Sequence, residues 1–231
     1  LLDAHTTWGT QLFWPFDLRL AFKTIFVIDP VYTIPFLVFL IATMFHKRNS
    51  SKRKLYNGIG LTLSTAYLAL TFILKYSAFS NFEKALANQN IVYNNIDTRP
   101  SALNTVLWNA NVETKDYFLL GDYSFFDSKP IDFIAYSKNH HLLGDLVNNE
   151  KVKRMIKISK GWFSIIEKDN VLYFNDLRFG LLNMEKGSQD FVFQYRIDVD
   201  ESGEVTFTEV EKSTRDGKKL MRELLIRIKG N

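Results

Sequence analysis

Apolar residues gather in two runs before residue 80 and alternate with polar ones beyond it. The first run, residues 31–45, follows Asp29-Pro30. That pair reads as N-cap and first helical residue, because a carboxylate can accept the free N–H groups of a first turn and proline there wastes no donor. The pattern predicts a helix over about 31–46, kinked at Pro35 and shorter than the roughly 20 residues of an average membrane span. The second run, residues 56–79, is broken by charge only at Lys75, whose ammonium can reach the headgroups from near the end of the span. Its length suits a complete crossing. Gly58, Gly60, Ser64 and Ala66 are small enough to let another helix approach.

Past the second run the period changes. Ser80-Asn81-Phe82-Glu83 has the form of a capping box and predicts a new polar helix of about ten residues. The boundary is set there, with residues 1–79 a membrane region and 80–231 a soluble domain. Residues 105–114 alternate, with Val106, Trp108, Ala110 and Val112 on one face; Lys115-Asp116 is the turn, and 117–126 returns as the second strand of a hairpin. Residues 139–159 read as one or two helices with break points at Gly144 and Asn148-Asn149. Strands are expected over 162–167, 171–175, 191–199 and 204–210, joined by turns at Asp169-Asn170 and Glu201-Ser202-Gly203. A closing amphipathic helix over about 216–229 would bury Leu220, Leu224, Leu225 and Ile228. The class is α+β: two transmembrane helices, then an extracytoplasmic domain with an antiparallel sheet and flanking helices.

Charge decides the topology. Of 29 Lys/Arg and 25 Asp/Glu, residues 1–79 hold eight and three, which leaves 21 and 22 for the rest. The soluble part is therefore nearly neutral, and a nucleic-acid partner is not indicated. Five of the eight cations lie in residues 46–54 with no acid among them. A cytoplasmic loop between two spans accounts for that better than the tip of a buried hairpin in a soluble protein. Both the start of the chain and the domain after residue 80 then lie outside the cytoplasm. The chain has no cysteine, which excludes disulfides and thiolate metal sites.

Polar chemistry is densest at the start: Asp3, His5, Thr6, Thr7, Thr10 and Gln11 stand beside Trp8, Phe13, Trp14 and Phe16. The stretch over 13–28, with Asp17, Arg19 and Lys23 among aromatics, fits a segment lying in a membrane interface. On the residues alone, Asp3 is an N-cap or structural acceptor as readily as a ligand, and Thr6, Thr7, Gly9 and Thr10 form a hydroxyl-capped turn as readily as a site. Leu1-Leu2-Asp3-Ala4-x-Thr6-Thr7-x-Gly9-Thr10-Gln11-Leu12-Phe13-x-Pro15-Phe16, then Arg19, then Ile28-Asp29-Pro30-x-Tyr32-Thr33-x-Pro35, resembles the bacterial inner-membrane metal-dependent hydrolases related to the LexA-regulated, SOS-inducible membrane hydrolase. Asn104 to Trp108, Gly121 to Ser124, Gly161 to Ser164 and Asp176 to Gly180 extend the likeness.

The resemblance implies a multi-pass inner-membrane protein that uses a divalent metal, zinc, with distant kinship to zinc-dependent phospholipase C. It implies Asp3 as a metal ligand, Thr7 and Arg19 as catalytic residues with Arg19 steadying an anionic headgroup, and membrane lipid as the partner. The family's other histidine motifs would precede residue 1, so the chain is expected to be a C-terminal portion that alone binds metal weakly or not at all and has no hydrolase activity. Elsewhere, Asp176 and Arg178 share a strand face and suit an ion pair or a phosphate contact, while His140-His141 suit an exposed polar pair. No P-loop, Gly-x-Ser-x-Gly elbow or zinc-protease helix motif occurs. Two readings follow: a membrane-bound metal-dependent hydrolase of a lipid or envelope phosphoester, and a membrane-anchored, non-enzymatic binding or scaffold protein of the cell envelope.

Overall fold

The structure is a computed structural model that describes residues 2–182, 187–211 and 217–231. Leu1 of the opening motif and Asp216 of the closing helix lie outside the described residues. The first long element is α1 (Pro30–Met44). Asp29 caps it as expected, its side chain accepting from the backbone N–H groups of Val31 and Tyr32 at 2.9 and 3.1 Å. α2 (Ser51–Asn88) starts inside the basic stretch, so Lys52, Arg53 and Lys54 form its first turn.

The chain does not stop and restart at Ser80. α2 is one helix of 38 residues, and the Ser80–Glu83 pattern is not used as a cap. The reason is tertiary: Ala78, Phe82 and Leu86 sit on one stripe and are fully buried against a sheet, which favours continuing the helix over breaking it. At 1.5 Å per residue such a helix is about 57 Å long, well beyond the roughly 30 Å hydrocarbon layer. Its first two-thirds are long and apolar enough to cross a membrane, while its last third serves as core for the sheet domain.

That domain is α+β, built on two four-stranded antiparallel sheets. The first is β1 (Asn95–Pro100), β2 (Leu107–Glu113), β3 (Tyr117–Ser124) and β4 (Phe133–Ser137), in that order. Trp108, Ala110 and Val112 of β2 face α2, so the alternating hairpin is where the sequence places it. A 3-10 segment, His140–Asn148, is broken at Gly144 (φ 47, ψ −129), and α3 (Glu150–Ser159) follows. The second sheet is β5 (Phe163–Lys168), β6 (Val171–Leu181), β7 (Phe191–Val199) and β8 (Val205–Glu209). Asp169 and Asn170, both at positive φ, make the tight turn between β5 and β6. α4 (Gly217–Ile228) closes the chain.

The layers run helix, sheet, sheet, helix. α2 covers one face of the first sheet, and α3 with Leu143 covers one face of the second. The two remaining faces meet over Phe118, Leu120, Tyr136, Trp162, Leu177 and Phe191. Beside this apolar patch runs a polar seam, where the side-chain amide of Asn111 donates to Leu177 O at 2.6 Å. β1 and β4 went unrecognised in the sequence. β1 turns Asp97 and Arg99 toward that seam, so its pattern reads as loop.

Against α1, α2 presents Gly60 and Ser64; a Cβ on Gly60 would lie 2.9 Å from Phe39 Cβ. Ala66 faces outward and Gly58 meets nothing within 4 Å, so two of the four small residues serve the contact. In α4, Leu225 is 53% exposed and does not join the expected buried stripe. The stripe is turned toward Leu220, Leu224 and Ile228 because Arg227 anchors the helix on the acids of β3 and the loop after it.

Candidate functional site

The opening motif folds into a closed loop laid against α2. Residues Leu2–His5 form a 3-10 turn, and Thr6 Oγ1 donates to Asp3 O at 2.8 Å while lying 3.4 Å from the N–H of Gly9. This is the hydroxyl-capped turn. Gly9 has φ +66, and a Cβ there would lie 2.3 Å from Leu20 O, where the chain doubles back through the Thr10–Leu20 bridge. Phe22 N–H donates to Ala4 O, and Thr24 N–H to His5 O. His5 is thereby buried: Nδ1 shares a hydrogen bond with Thr24 Oγ1 at 3.0 Å, and the ring sits edge-on to Phe22 and Phe72. Burial lowers its pKa below the ordinary imidazole value, so it is a neutral packing group.

Further contacts lock this loop to the rest of the protein. Lys23 Nζ lies 2.6 Å from both carboxylate oxygens of Asp97 on β1. Lys75 of α2 donates to Phe22 O. Asp29, 2% exposed, accepts a third hydrogen bond, from Tyr67 OH of α2 at 2.8 Å, and that hydroxyl also meets Thr105 Oγ1 before β2 at 3.1 Å. Trp8 packs against Phe179 of β6, the ring planes tilted by 38° and the centroids 4.6 Å apart. α1, α2, the opening loop and both sheets thus share one junction.

The three residues singled out in the sequence take different positions there. Asp3 is exposed, and its carboxylate makes no hydrogen bond or ion pair among the described residues. Thr7 is half-buried and lines a cavity. Arg19 is exposed and donates to Trp8 O at 3.3 Å, which brings it to the turn that carries Thr7. Among the described residues, no three His, Cys, Asp or Glu side chains come together as a metal group would require. The residues present do not make a zinc site by themselves.

The cavity, about 510 Å³, opens at the junction. Thr6, Thr7, Trp8, Phe26 and Val27 of the loop form one wall. Leu120 and Ile134 of the first sheet, Phe179 and Phe193 of the second, and Leu220 and Leu224 of α4 are among the residues that complete it. Arg99 also lines it and was not among the residues selected from the sequence. It is 5% exposed; Nη2 donates to Asn111 Oδ1 at 3.2 Å and approaches Leu177 O at 3.5 Å, whereas Nη1 has no partner. Burial pushes its pKa down while Asp97 and Asp176 pull it up. A guanidinium stays protonated under both influences. The available signal was faint: Asn109 and Asn111 alternate with the apolar residues of β2 and mark its second face as polar.

Asp176 and Arg178 form the expected ion pair, with contacts of 2.6–3.1 Å. His140 departs from the expected exposed pair: its ring stacks on Phe163 at 4.0 Å and Nε2 meets Phe163 O at 2.8 Å, while His141 is exposed. An edge rich in cations surrounds the junction. Burial, then the charges of Lys23, Arg178 and Arg19, holds the Lys160 ammonium below its usual pKa against the pull of Asp97.

With this geometry in place, comparison with known proteins gives one match. The family model described as YdjM inner membrane protein matches residues 1–78, which hold the opening loop, α1 and α2 as far as Ala78. The match fits membrane association and a bacterial inner-membrane setting. No curated protein and no solved structure matches the chain.

Proposed function

We propose that this is a membrane-anchored binding protein of the cell envelope, which holds an amphiphilic small molecule in the cavity at the junction. The observation that carries the reading is the composition of the walls. Interfacial loop and domain each supply part of a largely apolar chamber, within the size range of small-molecule sites. On the same loop Phe13, Trp14, Phe16, Leu18 and Ile28 are between 51% and 81% exposed, as suits residues resting in headgroups and upper acyl chains.

Two spans are part of the proposal. α2 is long and apolar enough to cross a membrane, and only 17% of its apolar window is buried, unlike the core helix of a soluble protein. α1, with 15 residues, is the shorter partner, about 22 Å long, and local thinning or tilt would accommodate it. The basic stretch between them faces the cytoplasm, and the cavity and both sheets face the other way. A reporter that works only outside the cytoplasm, fused after Asn231, should give signal; signal from a cytoplasm-only reporter overturns the orientation.

The binding test uses a 16-carbon alcohol carrying a photoreactive diazirine, added to the chain in phosphatidylcholine nanodiscs. Crosslinks are expected on peptides containing Trp8, Phe179 or Leu224, and Ala102→Trp, which fills the cavity, should remove them. Crosslinks confined to α1 and α2 sink the binding reading.

A second reading rests on its own observation: Thr7 lines the same cavity, and the unpartnered Asp3 carboxylate lies on the same loop. In that reading the protein is a metal-dependent hydrolase of a lipid or envelope phosphoester. Asp3 supplies one ligand to a zinc ion, and Thr7 and Arg19 approach the phosphoester. Bound zinc would polarise the phosphoryl oxygen and activate water. Zinc measured in protein purified from its native membrane, with and without Asp3→Ala, tests it. Equal zinc in both removes Asp3 from the site.

A further inference from the structure

Among the described residues, Arg99 is the one guanidinium on the cavity wall, and none of them supplies it a carboxylate of its own. Its nearest carboxylates are already engaged: both oxygens of Asp97 by Lys23, and both oxygens of Asp176 by Arg178. The acids that line the cavity are engaged as well. Asp122 is bound by Arg227, and Glu223 lies 3.7 Å from Lys219. Among the described residues, the remaining partners of Arg99 are neutral, an amide oxygen and a carbonyl, and Nη1 has none. A buried charge without a counter-charge is costly, and a protein normally satisfies it with an ion, a ligand or a rearrangement.

The surroundings are built around this group. Gly180, at φ +74, stands where a Cβ would approach Arg99 Nη2 to 2.9 Å, so only glycine leaves the guanidinium its place. Asn111 is pinned by its own bond to Leu177 O and in turn orients Nη2. Around the charge the walls are apolar, and the loop that forms one of them carries the exposed aromatics of a membrane surface. A ligand that satisfies both features has an anionic head and an apolar body.

We infer that the cavity takes a single-chain anionic amphiphile, with its carboxylate or phosphate monoester on Arg99 and its chain along Phe179, Phe193 and Leu224. This deepens the binding reading above and rests on it. Planar, forked donors suit both head groups, and a charge-assisted contact in a site shielded from water is stronger than its neutral counterpart.

The experiment keeps the chain in phosphatidylcholine nanodiscs, free of anionic lipid, with the diazirine alcohol as reporter. Palmitate and 1-palmitoyl-glycerol-3-phosphate compete against it beside uncharged hexadecanol. Either anion should compete about 10- to 100-fold more strongly than hexadecanol, the ratio expected of a charged hydrogen bond. The stronger anion identifies the head group as a carboxylate or a phosphate. Arg99→Gln should remove the advantage while alcohol labelling persists, and Arg99→Lys should restore part of it. Labelling of the cavity with equal competition by all three overturns the anionic ligand and leaves the binding reading standing. No labelling of the cavity overturns both. Because the wild-type comparison needs no variant, a misfolded Arg99→Gln leaves the result decisive.

Discussion

Along α2 the residues turned outward include Leu61, Leu63, Leu70 and Ile73, between 45% and 65% exposed, and those turned inward include Gly60, Ser64 and Thr71. In the sheets the order is reversed. Trp108, Phe118, Phe174 and Phe191 are at 0%, while lysines and acids such as Glu167, Lys168 and Glu209 face out. Both arrangements come from one rule applied in two solvents. Lipid tails are as apolar as leucine, so a membrane helix gains nothing by hiding leucine and associates through small residues and close backbone approach. Water drives large apolar side chains together. The two regimes meet within a single helix, near Ala78, where α2 stops facing lipid and starts filling a core.

The largest effect expected from this contrast is at Trp108. Truncation to alanine should cost about 3–5 kcal/mol, since it removes a fully buried ring from between α2 and the first sheet. Leu61→Ala, on the lipid side, should change stability by well under ~1 kcal/mol in a bilayer. Denaturant unfolding of the reconstituted protein compares them. Similar costs at the two positions would mean that Leu61 faces protein.

Next comes the helix pair. Gly60→Leu forces a side chain into Phe39 and should cost about 1–3 kcal/mol by separating α1 from α2. A crosslink between cysteines placed on the two helices reports the separation, and an unchanged crosslink yield breaks the claim that they pack there. A similar loss, about 1–3 kcal/mol, is expected from Lys23→Met, which leaves Asp97 partly buried without its ammonium. A double-mutant cycle with Asp97→Asn isolates the pair. Zero coupling removes this link between loop and domain.

How far the sequence foretold these features depends on which force sets each one. Asp29-Pro30, the two apolar runs, the β2–β3 hairpin and the break at Gly144 were legible because local chemistry and burial agree there. The continuation of α2 through Ser80 was not, since a locally valid cap loses to the burial of Phe82 and Leu86. β1 was hidden because half of its residues face a polar seam. At the site, the Thr6 turn was readable from spacing. The role of Arg99 was not, because it depends on which carboxylates its neighbours occupy across the fold. The match to the YdjM inner membrane protein family covers residues 1–78, and the cavity needs residues far beyond them.

The smallest effect places one titrating group in each region. His5 in the membrane loop and His140 in the domain both have pKa values lowered chiefly by burial. The unfolded chain, with imidazoles near 6.5, therefore takes up protons before the folded one does. Stability from these groups is fully present above about pH 6.5 and is lost as pH falls through the lower folded values, with a slope of at most about 1.4 kcal/mol per pH unit for each histidine. Melting of the wild-type chain should weaken between pH 7 and pH 5. The slope should become shallower in His140→Gln, and its remainder should belong to His5, where Gln substitution flattens unfolding of the loop contacts monitored by Trp8 fluorescence. An identical pH slope in wild type and both variants would show that the two rings are equally protonated in folded and unfolded chains, and the comparison of the two buried imidazoles would fall.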